Sequence, residues 1–336
     1  MRINFLIVDN HHLAGRGSVM LKKDTTPKKG KLKFTRSELE IYSLSVIPIL
    51  LIFIFRYLPM GGLLIAFKNY KFGKGILGSS WVGFKNFEFF FNSNVFVQLV
   101  RNTLLNNVLF IVFGTVASLL VAVLLFEVNS RNSTKIYQTI LITPYFMSWV
   151  IVAYMVYAIL NPNYGYLNQL LSLVGIKGID WYSKPNAWPV ILTVTYIWKN
   201  IGIDSVVYYA SLMGLDTALF EAAEIDGAGK VKRTIYIVLP SLIPLISILT
   251  ILKIGSIFRA DFGLFYTVTQ DGANGNLYNT TNVIDTYIFR TFRENAAGNS
   301  YGLTTAVGLL QSVVGMILVL LTNWCVKKVD EDYVLF

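Results

Sequence analysis

The sequence predicts an all-α, polytopic membrane protein with six transmembrane helices, and three observations lead there. Of its 336 residues, 54% are hydrophobic and only 14% charged, too little polar surface for a soluble domain of that size. The mean hydropathy is +0.55. The apolar residues also gather into six runs long enough to cross a hydrocarbon core, which takes roughly 20 residues because lipid offers backbone N–H and C=O groups no outside partner.

The first run, Ile41 to Phe67, holds Pro48, Arg56, Pro59 and the pair Gly61 and Gly62, and is expected to be a kinked span, with a re-entrant segment as the alternative. Residues 68–103 then form a loop on the outer side. A core over 104–326 carries the other runs: Leu104 to Phe126, Ile136 to Leu160, Trp188 to Leu212, Leu242 to Phe262 and Leu303 to Val326. Between these runs, Asn161 to Asn186 and Thr267 to Ser300 are polar, rich in Gly and Asn, and too long for tight turns. They are expected outside, either presenting a surface or serving as plain solvated connections. Residues 327–336 make a short tail.

An even number of spans puts both termini on one side. The tail 1–40 carries Lys22, Lys23, Lys28, Lys29, Lys31, Lys33 and Arg36 just before the first run, and the positive-inside bias holds such a cluster in the cytoplasm. The expected location is the plasma membrane, multi-pass, with both termini cytoplasmic. Lys68, Lys71, Lys74, Lys85 and Arg101 in the first outer loop run against that bias. Residues 1–19 match no signal peptide, since their apolar patch, Phe5 to Val8, is too short for one. Arg16 and Gly17 can be encoded by a purine run of the kind found just upstream of a bacterial start codon, so translation is expected to begin at Met20.

Several classes of function are excluded. The formal charge of +10 sits in the tail and between apolar runs, where membrane lipid and topology account for it, so nucleic acid is not an expected partner. The single cysteine, Cys325, forms neither an internal disulfide nor a cysteine cluster for a metal, and His11 and His12 both lie in the tail. No G-x-x-x-x-G-K-[ST] phosphate loop occurs; "FGKGILGSS" has its lysine in the wrong place. The chain carries no catalytic signature and no cofactor motif.

One charged segment stands out between two apolar runs: "FEAAEIDGAGKVKRTIYIVLP", Phe220 to Pro240. Ala222 and Ala223 keep one helical face small enough to settle into a groove on a partner. Gly227 lets the backbone turn. Pro240 suits the first turn of the next membrane helix, and Glu221 offers a charge to a basic group on the partner. The alternative is an amphipathic linker whose Lys230, Lys232 and Arg233 touch lipid headgroups.

The pattern E-A-A-x3-G-x9-I-x-L-P, formed by Glu221, Ala222, Ala223, Gly227, Ile237, Leu239 and Pro240 with Asp226 inside it, resembles the cytoplasmic EAA signature of ABC importer permeases. "WVGFKNFEFFF" at Trp81 to Phe91, "RNTLLNN" at Arg101 to Asn107, "TPYFMSWVIVA" at Thr143 to Ala153 and "IWKNIG" at Ile197 to Gly202 look like binding-protein-dependent sugar permeases. So do "NVIDTYIFR" at Asn282 to Arg290 and "TAVGLLQSVVG" at Thr305 to Gly315. Within that group the chain is most similar to permeases for oligosaccharides derived from complex polysaccharides, alginate among them. The resemblance implies an ABC importer permease fold with a coupling loop over 215–240. It implies as partners a cytoplasmic ATP-binding subunit that holds ATP and Mg²⁺, a second related permease chain and an extracytoplasmic sugar-binding protein. A permease for another solute and a secondary transporter driven by an ion gradient are the alternatives.

Ionisable residues inside apolar runs are costly and usually face a cavity or a partner. Lys199 and Asp204 fall in the fourth run, with Lys253, Arg259 and Asp261 in or near the fifth. With Trp198 they are candidates for a translocation path, or else they join helices together. Lys199 and Asp204 are five residues apart, not a pairing distance on a helix, so each is expected to have its own neighbour. The basic surplus of Lys199, Lys253 and Arg259 over Asp204 and Asp261 suits acidic sugars.

Overall fold

The computed structural model describes residues 36–93, 95–128, 130–270, 275–294, 300–328 and 335. The basic tail before Arg36, the start proposed at Met20 and most of the C-terminal tail lie outside these residues. The chain divides into two compact units, one ending at Leu58 and one beginning at Pro59. The first contains α1 (Arg36–Ile52), with Pro48 inside it, and a π turn over Phe53–Tyr57. In the second, the first run ends as a 3-10 helix, Leu58–Phe67, so the run departs from α geometry around its Pro and Gly residues.

The expected outer loop is itself folded. β1 (Lys68–Asn69) pairs antiparallel with β2 (Ser80–Trp81) around the short α2 (Gly75–Gly78). Lys68 Nζ donates to the Ile76 carbonyl at 2.7 Å and so closes this hairpin. α3 (Lys85–Phe91) follows, and α4 (Phe96–Phe126) begins well ahead of Leu104, so part of the expected loop is helix. At 1.5 Å per residue α4 is about 46 Å long, more than a hydrocarbon core needs, and its polar first turns fall beyond the apolar run.

The third run is not one straight span. α5 (Arg131–Ile142) ends in a 3-10 turn, Thr143–Phe146, and α6 (Trp149–Leu160) leaves at 99°. Pro144 lies in the 3-10 turn, and Ser148 Oγ accepts from Ile151 N at 3.4 Å as the N-cap of α6, so the sequence stops one helix and starts the next. α7 (Tyr166–Leu173) lies in what was expected to be irregular connection. There Asn168 donates to the Pro162 and Ile179 carbonyls at 3.1 and 2.9 Å and accepts from Trp181 Nε1 at 3.2 Å, which fixes the loop.

α8 (Trp188–Leu212), α9 (Thr217–Ile225) and α10 (Lys230–Arg233) follow, with α11 (Leu239–Gly255) joined to α10 through a π turn, Thr234–Val238. The fifth span therefore runs over Lys230–Gly255. One correction results: the span stops at Gly255 instead of Phe262. Pro240 lies in the first turn of α11, although the π turn and α10 before it continue the helical run. The wider π turn just before Pro240 takes up the missing N–H and the ring's clash with the preceding turn. After a π turn at Leu264–Val268 come α12 (Tyr278–Thr281), α13 (Ile284–Glu294) and α14 (Ser300–Lys327). Among the described residues, five helices are long and apolar enough to cross a membrane, and the bent pair makes a sixth.

α4 packs along α8, α5 against α8, and α11 against α14. Small residues make the close crossings. A Cβ on Gly315 would lie 2.4 Å from the Gly255 carbonyl oxygen, so α11 and α14 meet backbone to backbone. One core cluster gathers Phe110, Val152, Trp188, Leu192 and Phe265; a second, nearer α9, gathers Ala122, Tyr208, Leu212, Val238 and Leu242.

Candidate functional site

α9 is a short helix capped at both ends. At its start Asp216 Oδ1 accepts from Ala218 N at 2.9 Å. At its end Gly227 N donates to Glu224 O at 3.0 Å and Ala228 N to Ala223 O at 2.8 Å, the double bond of a Schellman motif. That motif needs a left-handed residue, and Gly227 has φ +72° with open space where a Cβ would point. The inner side of α9 is held by Phe220, whose ring lies 5.6 Å from that of Phe126, and by the cluster around Leu212 and Leu242.

Two ion pairs tie down the turn that follows. Arg233 Nη1 meets Glu224 Oε1 at 2.6 Å, and Lys230 Nζ meets Glu127 Oε2 at 3.2 Å at the end of α4. Such partly exposed pairs add little stability; the first links α9 to the fifth span and the second links that span to the end of α4. Two of the three cations proposed for lipid headgroups are thus engaged within the chain. Glu221, Ala222 and Asp226 are exposed, and Ala223 is half-buried. Glu221 has no ion-pair partner among the described residues, and Leu219 and Ile225 stand exposed beside it. Ile237, Leu239 and Pro240 belong to the membrane helix, a full turn or more away from this surface.

The four residues considered for a path separate. Lys199 is 6% exposed and donates its three ammonium hydrogens to the carbonyls of Pro144, Tyr145 and Met147 at 3.1, 2.8 and 2.5 Å. It caps the break in the third span, where carbonyls have lost their helical partners, so the path reading of Lys199 is corrected. Lys253 Nζ meets Asp204 Oδ2 at 3.0 Å between α8 and α11, both half-buried. The two lysines counted toward a basic surplus are therefore spent inside the chain, while Arg259 is exposed and donates to Ser312 at 2.9 Å. Trp198 lines a mostly apolar cavity of about 280 Å³ with Val152, Met155 and Val194.

The segment after Gly255 is built from short helical pieces, and side chains of α4 and α14 bond its backbone. Asn102, Thr103, Asn106 and Asn107 share one face of α4. Asn102 Nδ2 donates to the Asn279 and Asn282 carbonyls, both at 3.0 Å, and Asn107 Nδ2 to Ile257 O at 2.9 Å. Thr103 Oγ1 accepts from Ile284 N at 3.1 Å. From α14, Gln311 Nε2 donates to Phe258 O at 2.7 Å. Asp285 accepts from Ala260 N at 2.7 Å; burial pushes its carboxyl up, and the hydrogen bonds from Ala260 and Gln311 oppose that.

Residues 114–331 match the model of the binding-protein-dependent transport system inner membrane components. The chain belongs to this family. The permease is 35% identical over 292 residues to protein LplB of Bacillus subtilis, covering 87% of this chain and 90% of that one. It is 32% identical to the polygalacturonan/rhamnogalacturonan transport system permease protein YteP of the same organism, over 94% and 95% of the two chains. A solved bacterial alginate ABC transporter, in complex with an alginate pentasaccharide-bound periplasmic protein, contains a chain that superposes with a TM-score of 0.77. The two are 33% identical over 88% of the permease and 96% of that chain.

The asparagine face of α4 and the capping role of Lys199 were not legible as such in the permease's sequence. A signal was present: four polar residues at i, i+1, i+4 and i+5 entering an apolar helix mark one buried face. What they hold is 150 to 180 residues away, or about 50 for Lys199, and no local pattern names it.

Proposed function

We propose that the permease is one of two membrane chains of an ATP-driven importer for oligosaccharides, multi-pass in the plasma membrane with both termini cytoplasmic. The observation that carries the coupling role is α9: a helix held by Phe220 and by the Arg233–Glu224 ion pair, closed by a left-handed glycine, and presenting between exposed Leu219 and Ile225 a Glu221 that has no ion-pair partner among the described residues. A rigid lever that offers a charge and apolar side chains suits a groove on a cytoplasmic ATP-binding subunit. That subunit holds the ATP and Mg²⁺, and its closure is passed through α9 and Lys230 to the spans. The likeness to YteP and to the alginate transporter supports a polysaccharide-derived oligosaccharide as substrate and an extracytoplasmic sugar-binding protein as its donor.

Glu221→Ala removes one side of an ion pair that becomes desolvated on docking, a loss of about 2–5 kcal/mol. Gly227→Val forces a β-branched residue into the left-handed region, while Gly227→Asn accepts it far better. Both Glu221→Ala and Gly227→Val are expected to insert normally yet lose sugar uptake and the ATP hydrolysis stimulated by loaded binding protein, with Gly227→Asn retaining most of both. Wild-type uptake and stimulated hydrolysis in Glu221→Ala and Gly227→Val would overturn the lever. Saccharide transport without any ATP-binding subunit would overturn the importer reading.

A further inference from the structure

A second cleft, of about 340 Å³, opens between α6 and the π turn Leu264–Val268, lined by Tyr154, Tyr157, Tyr266, Thr267 and Gln270. Its chemistry differs from that of the apolar cavity at Trp198. Three of its side chains are tyrosines. Two of their rings are held from behind: Tyr157 lies edge-on to Tyr182 with centroids 5.8 Å apart, and Tyr266 stacks on Phe262 at 4.9 Å. Thr267 is engaged with the Gly263 and Trp149 carbonyls. The Tyr154 and Tyr157 hydroxyls and the Gln270 amide have no hydrogen-bond partner among the described residues. Tyr154 and Tyr157 are both exposed, so their hydroxyls stand open to a ligand.

Gln270 adds a second sign. Among the described residues it is the one non-glycine with positive φ, +53°, a strained conformation that a glycine would adopt freely. The strain sets its amide at the end of the cleft, and strained backbone concentrates at sites that do work. At the rim Arg293 Nη1 donates to Tyr266 Oη at 3.3 Å, which puts a cation beside one of the rings.

Flat rings with hydroxyls and an amide free to donate and accept match one ligand class. We propose that this cleft is a contact site for the pyranose units of the transported saccharide, with Tyr154 and Tyr157 as stacking and hydroxyl-binding residues, Gln270 as the amide that reads ring hydroxyls, and Arg293 as the group that favours uronates. The proposal rests on the saccharide-importer reading above and locates a site within it. It puts the recognition of sugar charge at α13, outside the buried lysines of α8 and α11.

Proteoliposomes holding the complete transporter, fed by its binding protein loaded with oligogalacturonate or cello-oligosaccharide pentamers, test it. Tyr154→Ala and Gln270→Ala lower uptake about tenfold, the scale of one lost aromatic contact, while hydrolysis stimulated by the loaded binding protein stays at the wild-type rate. Arg293→Gln lowers uptake of the uronate series alone. Gln270→Gly releases the strained backbone, so it raises thermal stability and still cuts uptake, which a merely structural glutamine would not do. Unchanged uptake in Tyr154→Ala and Gln270→Gly beside an active wild type overturns the cleft and leaves the importer reading standing. Loss of the second permease chain from the purified variants also overturns it, because the cleft would then be a subunit contact. A wild-type complex that moves neither sugar overturns the saccharide reading and the cleft with it.

Discussion

Gly202→Ala is expected to lower the permease's thermal stability sharply and cut its yield in the membrane. α8 lies so close to the end of α5 that a Cβ on Gly202 would sit 2.1 Å from the Leu141 carbonyl oxygen, 2.3 Å from the Leu141 carbonyl carbon and 2.6 Å from Ile142 N. All three are backbone atoms, which no rotamer change can move aside. One methyl must separate two helices whose contact also brings Lys199 to the broken turn, so the cost is about 3 kcal/mol or more. Gly308→Ala in α14 is the control, since open space surrounds that position and a helical alanine is favoured over glycine by up to about 1 kcal/mol. Thermal unfolding of the purified complexes should therefore drop for Gly202→Ala and hold or rise for Gly308→Ala. Equal midpoints for the two variants would show that α5 and α8 are not in backbone contact.

Lys199→Met is the second change of large expected effect. It keeps the side chain's length and removes the ammonium, leaving the carbonyls of Tyr145 and Met147 without this donor, while Pro144 O still accepts from Met147 N. An unsatisfied buried polar group costs about 1–3 kcal/mol, and two carbonyls share this loss, so a destabilisation of roughly 2–4 kcal/mol is expected. The ammonium also lies 5.1 Å from the Trp149 ring, so the same change loosens the start of α6. A path-lining lysine gives the opposite pattern: normal stability with altered preference between acidic and neutral sugars. Differential scanning of the variant, together with uptake of both sugar series, separates the two.

The segment around α9 shows how far local sequence reaches. Asp216, Gly227 and the alanines specify a capped helix whose end needs positive φ, and each acts through neighbours within a few residues. The spans were legible for the same reason, because lipid demands a long apolar run and a run is a local property. The chain alone therefore determined an all-helical membrane protein, its approximate spans and the capped helix α9.

Tertiary structure decided what the ionisable and amide side chains are for. Lys199, Asp204 and Lys253 read alike in sequence, as charges in grease, yet one caps a broken helix and the other two pair across α8 and α11. The 99° bend after α5, the end of the fifth span at Gly255 and the role of Asn102 and Asn107 follow from the same cause. Away from water a carbonyl that leaves a helix must find a donor, and that donor sits wherever packing brings it. Sequence sets which groups need partners; only the packed helices determine which partners they find.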